Sequence, residues 1–276
     1  MKQGFFARLY PVTVKHADRE VPGHQGPQTR SPIQPRRNTV FSHTATMANN
    51  PFTQLLHTAP IDTEKYEALY KHFHAHPELS NLEAETARTV ADHLSRLNAF
   101  EITTNIGGHG LVGVLRNGPG KTILLRADMD GLPVLEATNL PYASTVTMAD
   151  VEGIVRPVMH ACGHDMHMTC LLAAAEILAK LKDFWSGTLV VLFQPAEERG
   201  TGAKAMVDDG LYEKHKIPVP DFALGQHVMA MRAGSVGLRT GTIMAGADSM
   251  KIKLFGVGGH GSQVSTPEVR ERLRAD

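Results

Sequence analysis

Residues 188–194 read TLVVLFQ and run directly into Pro195-Ala196-Glu197-Glu198-Arg199-Gly200. A segment this continuously apolar and β-branched, closed by a turn, marks a strand buried on both faces, as in a parallel sheet covered by helices. Working outward, 111–115 and 122–126 are short apolar runs beside Gly and Pro and also read as strands, as does 222–225. At 250–254 apolar residues alternate with Lys251 and Lys253, the pattern of a half-exposed strand. Between these runs, 165–182 is helical, with Met166, Cys170, Ala174, Ile177, Leu178 and Leu181 as its apolar stripe. A short helix over 202–209 stops at Gly210. Upstream, Ser80-Asn81-Leu82-Glu83 has the spacing of a capping box, and Leu82, Thr86, Val90, Leu94 and Leu97 line one helical face behind it. Strands and helices alternate without internal repeat, which predicts a layered α/β domain with a mostly parallel central sheet. In such sheets ligands gather at the carboxyl ends of strands, and every polar cluster of this chain falls just after a predicted strand.

Composition narrows the function classes. Across 276 residues the chain is 42% hydrophobic and 20% charged, enough for a substantial core. Lys plus Arg and Asp plus Glu both number 28, so no global charge points to nucleic acid or an anionic membrane as partner. No apolar stretch approaches the ~20 residues of a membrane span. Cys162 and Cys170 suggest no disulfide framework and fit reduced thiols in a cytoplasmic protein. Residues 1–50 differ from the rest. They are rich in Pro and basic residues, with only Asp18 and Glu20 as acids, and cannot bury enough surface to order themselves. They read as a disordered tail, as a mitochondrial transit peptide, or as sequence upstream of a start at Met47. The chain then divides into 51–245, a catalytic region, and 246–276, the beginning of a second domain.

Four clusters carry possible chemistry. Asp128 and Asp130 follow the 122–126 strand as solvated loop charges or metal-site residues. Met159-His160-Ala161-Cys162-Gly163-His164-Asp165-Met166-His167 puts a thiol and imidazoles beside a helix start, where Cys162 can ionise and share a cation with His164. Glu197 and Glu198 are adjacent and so point in different directions, one free to bind metal and the other to act as general base. His227 follows the 222–225 run. Singly, each has an ordinary structural reading. Together they supply a mixed N, O and S set for one or two divalent ions. There is no G-x-S-x-G elbow, no Rossmann or P-loop glycine pattern and no CxxC pair. A thiol enzyme built on Cys162 is the rival chemistry, distinguished by surviving chelation.

The strings FHAHPELSNLE (73–83), LLRADMDGLPVLE (124–136), MHACGHDMHM (159–168), LVVLFQPAEERGTGAKAMVDDG (189–210), GQHV (225–228) and GVGGHGS (256–262) resemble the metallopeptidase family of aminoacylases and zinc carboxypeptidases. The branch they are most similar to is that of hippurate hydrolases and auxin-conjugate hydrolases. The resemblance implies a zinc-exopeptidase-type layered domain interrupted by a small α/β lid that mediates dimerisation. It implies two divalent cations, zinc or manganese, held by Cys162, His164, Glu198 and His227. Glu197 becomes the general base, and His260 a donor to the tetrahedral oxyanion, a role worth ~3 kcal/mol in other hydrolases. Asp128, Asp130 and Asp165 become residues that line or support the site. The implied substrate is a small N-acyl amino acid, cleaved to a carboxylic acid and an amino acid, with a homodimer as the assembly. The resemblance fades after Ser262, and the family's last His ligand is expected beyond residue 276. The chain is therefore expected to be a truncated form, with an inactive metal-binding or interaction protein as the alternative reading.

Overall fold

The computed structural model describes residues 10–12, 51–232 and 234–244. The run at 188–194 becomes the sheet's central strand, β7 (Gly187–Gln194), every residue of which is buried or half-buried. It lies in a six-stranded sheet of order β1-β8-β4-β7-β3-β2, with β1 at Tyr10–Val12, β2 at Glu101–Ile106, β3 at Gly110–Asn117, β4 at Thr122–Asp128 and β8 at Phe222–Gly225. β7 and β8 both pair parallel with β4, whereas β3 is antiparallel to β7, β2 to β3 and β1 to β8. Four of the six strands (β8, β4, β7 and β2) thus point one way, so the sheet is mixed with a parallel centre. β5 (Thr147–Ala149) and β6 (Val155–Pro157) form a separate hairpin. Within residues 1–50, only Tyr10–Val12 is described, as an edge strand beside β8.

The helices are α1 (Pro51–Thr58), α2 (Thr63–Ala75), α3 (Ala84–Arg96), α4 (His164–Lys180) and α5 (Gly202–Asp208). Alternation along the strands sends side chains to two cores. Leu111, Leu115, Leu189, Val191 and Phe193 face Tyr66, Phe73, Val90, Leu94, Met168 and Leu172 from α2, α3 and α4. Val112, Val114, Val190 and Leu192 face Met206, Leu211 and Ile217. Because β7 is covered on both sides, its sequence shows no polar alternation.

Two local expectations fail, the first in part. The stripe of α4 that meets the core is Met168, Leu171, Leu172 and Ala175; of the expected line, Leu178 packs against this core and Leu181 is buried, whereas Met166, Cys170 and Ala174 lie to one side. The middle of this helix is apolar nearly all round, so periodicity cannot select the face. The capping box at 80–83 does not form. Asn81 takes a left-handed φ of 68°, the helix begins at Ala84, and Ser80 and Glu83 make contacts elsewhere in the fold. The strand at 250–254, the rest of 246–276 and His260 lie outside the described residues. The chain divides into a unit ending at Leu238 and a second beginning at Arg239, of which only 239–244 are described, with neither helix nor strand.

α2 and α4 are clamped by Glu176, whose carboxylate accepts from Tyr66 Oη at 2.7 Å and pairs with Lys65 and Lys180, each at 2.7 Å. Burial opposes its charge, but hydrogen bonds from Lys180, Lys65 and Tyr66 outweigh it and hold the carboxyl down at about 2. Its stabilising contribution is therefore complete above the unfolded value near 4.5 and is lost as pH falls through about 2. With both lysines nearly half exposed, about 1–2 kcal/mol is expected after screening. Urea denaturation of the chain and of Glu176→Gln should show a stability gap at pH 7 that narrows by pH 3; a gap of constant size would contradict this clamp.

Candidate metal centre

β4 ends in a carboxylate. Asp128 is fully buried, and its Oδ1 accepts from His167 Nδ1 at 2.6 Å while its Oδ2 meets Arg126 Nη1 at 2.7 Å. Burial penalises its charge, but His167 and Arg126 hold its carboxyl well below the usual range. Two residues on, Asp130 accepts from Ser80 Oγ at 2.6 Å and from the backbone amides of Glu197 and Glu198, each at 3.1 Å. It thereby fixes the turn that follows β7.

The chain between Asp130 and Cys162 makes a long excursion and returns. Backbone pairing of Leu132 with Met159 brings it back beside the end of β4. The Cys162–His164 segment therefore arrives as the start of α4 and not after a strand of the sheet. Gly163 is the N-cap, with φ 88°, and a Cβ there would lie 2.4 Å from Val228 Cγ2. Only glycine allows both that conformation and that approach.

Three groups of possible ligand atoms cluster: Cys162, His164 and His227; His164, Glu197 and Glu198; and Asp128, His164 and His167. Cys162 Sγ is 3.3 Å from His227 Nε2. His227 Nδ1 donates to the Val228 carbonyl at 2.6 Å, leaving the Nε2 lone pair facing the sulfur. His164 Nε2 is 3.7 Å from Glu198 Oε1 and 3.8 Å from Glu197 Oε2. Fully buried, His164 has no hydrogen-bond partner on either ring nitrogen, although Asp130 Oδ1 lies 3.3 Å from Nδ1. Glu198 Oε1 is likewise buried and unpartnered. Orphaned buried polar atoms are costly, and a cation would satisfy these.

The electrostatics agree. Burial disfavours charge on His164, yet attraction to Asp130 and Cys162 and the charge of Asp128 push its pKa up to about 11. Contacts with His164 and His227 lower the Cys162 thiol, whereas burial raises Glu198. The pocket strongly favours positive charge at its centre, which fits a thiolate, imidazole and carboxylate donor set for borderline divalent metals.

Of the residues singled out from sequence, Cys162, His164, Glu197, Glu198 and His227 come together, with Asp128 and Asp130 beneath them. Asp165 does not join them. It turns to His74, 2.7 Å away, whose other nitrogen is 2.9 Å from Glu136. His167 is not among the residues expected in the site, yet it borders it. It sits one turn after His164, and its Nε2 accepts from Val228 N at 2.9 Å, so both nitrogens are engaged and it orients the His227 segment. Its signal was the i, i+3 spacing from His164.

His74 supplies a pH test. Burial opposes its charge, but Asp165 and Glu136 raise it to about 9. A raised histidine contributes stability that is full below the unfolded value near 6.5 and is lost as pH rises through 9, here roughly 2–3 kcal/mol. Thermal unfolding of the chain should weaken from pH 6.5 to 9.5, and His74→Gln should flatten that slope; an unchanged slope would refute the clamp.

The model of peptidase family M20/M25/M40 matches residues 124–274, more than half of the chain. Hippurate hydrolase of Campylobacter jejuni is 44% identical over 200 residues, covering 72% of this chain and 48% of the relative. Thermostable carboxypeptidase 2 of Saccharolobus solfataricus is 42% identical over 194 residues, covering 68% and 46%. A crystal structure of a candidate aminohydrolase from methicillin-resistant Staphylococcus aureus superposes with TM-score 0.51 at 40% identity, covering 58% of this chain and 39% of the other. The chain spans about half the length of the curated relatives it matches.

Proposed function

The chain belongs to peptidase family M20/M25/M40, and from that premise we propose that it carries metal-binding residues of a hydrolase cleaving the amide bond of N-acyl amino acids. The observation that supports this most is the convergence of Cys162, His164, Glu198 and His227 around orphaned, buried lone pairs. These four would hold two divalent cations, zinc or manganese. When bound, such ions polarise a carbonyl and acidify water.

The protein's own groups do the rest. Glu197 is twice as exposed as Glu198, with side-chain accessibilities of 38% and 19%. Being the more accessible of the two, it can take a proton from attacking water and return it to the leaving amine. Glu198 faces inward toward His164. Asp130 accepts both backbone amides and so fixes the backbone from which the two carboxylates reach toward His164. His227 is oriented through Nδ1 by a backbone carbonyl, the usual support for an imidazole ligand. The donor role of His260 rests on the resemblance alone. A thiolate ligand also suits a reducing cytoplasmic compartment. The name hippurate hydrolase, borne by a relative, suggests N-benzoylglycine as a first substrate to try.

Calorimetric titration with Mn2+ or Zn2+, followed by assay on N-benzoyl and N-acetyl amino acids, tests the proposal. Glu197→Gln should retain metal and lose at least 100-fold in turnover, since general bases contribute about 10²–10⁴. Cys162→Ser should weaken metal binding at least tenfold. Activity that survives chelation but not thiol alkylation would overturn the proposal in favour of a thiol enzyme.

A further inference from the structure

Glu83 is a buried carboxylate that no step above uses. It is fully inaccessible, its Oε2 has no partner, and its Oε1 accepts from Asn81 N at 2.9 Å and Ala196 N at 2.7 Å. The second bond spans 113 residues and reaches the turn after β7. Ala196 is itself buried and has φ 47°, a left-handed conformation that costs a non-glycine residue about 1 kcal/mol or more. Such a residue persists only where its surroundings over-determine it. Its carbonyl is held from below, accepting from Thr201 N and Gly202 N at 3.2 Å each. Gly202 leaves no slack, because a Cβ there would lie 1.6 Å from the Pro195 carbonyl oxygen. Among the described residues the only hydrogen-bond acceptor found for the Ala196 amide is Glu83.

We propose that Glu83 is a positioning residue: by accepting the Ala196 amide it holds that residue left-handed and so sets the directions in which Glu197 and Glu198 leave the strand. Burial lifts the Glu83 carboxyl to about 7, so the group works in either protonation state, because Oε1 accepts in both. Asp130 anchors the two amides that follow. Glu83 therefore fixes where the turn begins and Asp130 where it goes. The consequence for cation binding rests on the function proposed above; the consequence for the turn does not.

The test uses the 276-residue chain as Glu83→Ala, Glu83→Gln, Ala196→Gly and the double variant Glu83→Ala/Ala196→Gly. Amide hydrogen exchange by NMR reads the turn without any metal. Glu83→Ala should speed exchange at Ala196, Glu197 and Glu198 at least tenfold and leave the amides of β3 and β7 unchanged. Glu83→Gln should stay within threefold of the parent. Acceleration spread over the whole sheet, or none at 196–198, would overturn the proposal. If Glu83→Ala does not fold, Glu83→Gln decides, since loss of protection at 196–198 despite a retained acceptor also overturns it. Mn2+ titration then reads the site. Glu83→Ala should weaken binding at least fivefold, and Ala196→Gly, which makes the left-handed turn cost-free, should recover more than half of that loss. No recovery would show that the conformation of Ala196 is not what Glu83 holds. A parent chain that takes up no Mn2+ would sink the hydrolase reading and leave the exchange arm to judge Glu83.

Discussion

The site depends on one buried carboxylate, Asp130. Its two oxygens receive the Ser80 hydroxyl and the amides of Glu197 and Glu198, and Oδ1 lies 3.3 Å from the His164 ring. These partners come from the segment before α3, the end of β7 and the start of α4. An ionised carboxylate saturated by donors is a strong, directional anchor, and here it ties three chain segments to the end of β4. With Glu83 holding Ala196 at the start of the turn, it sets the distance between the Glu197–Glu198 pair and His164.

That organisation has an electrostatic cost. Asp128, Asp130, Glu197, Glu198 and an ionisable Cys162 crowd round one imidazole, with Arg126 as the nearby guanidinium. Buried like charges repel strongly unless something compensates them. The protein compensates part of this with Arg126, Ser80 and backbone amides, and the remainder is visible as a strongly basic His164, while burial lifts Glu198 and leaves its Oε1 unpartnered. A pocket that favours positive charge this strongly, and that presents sulfur, nitrogen and oxygen lone pairs, is built for cations.

The sequence reading succeeded where local pattern and final environment coincide. The run at 188–194 is apolar throughout because both of its faces are covered, so β7 was legible, as were β3, β4 and the extent of α4. It failed where a residue's partner is distant along the chain. Ser80 and Glu83 have capping-box spacing, but Asp130 and Ala196, 50 and 113 residues away, take their side chains. The core face of α4 is predicted correctly only at its end, in Leu178 and Leu181, because an apolar helix gives periodicity little to select. Asp165 is expected to line or support the site, but successive helical residues point about 100° apart, and it turns to His74.

Zinc K-edge X-ray absorption on the zinc-loaded chain, compared with Cys162→Ser, tests the central claim most directly. The account predicts a sulfur scatterer at about 2.3 Å beside nitrogen and oxygen scatterers, lost in Cys162→Ser while Cys170→Ser leaves it intact. A spectrum with only nitrogen and oxygen scatterers, or one unchanged by Cys162→Ser, would contradict it.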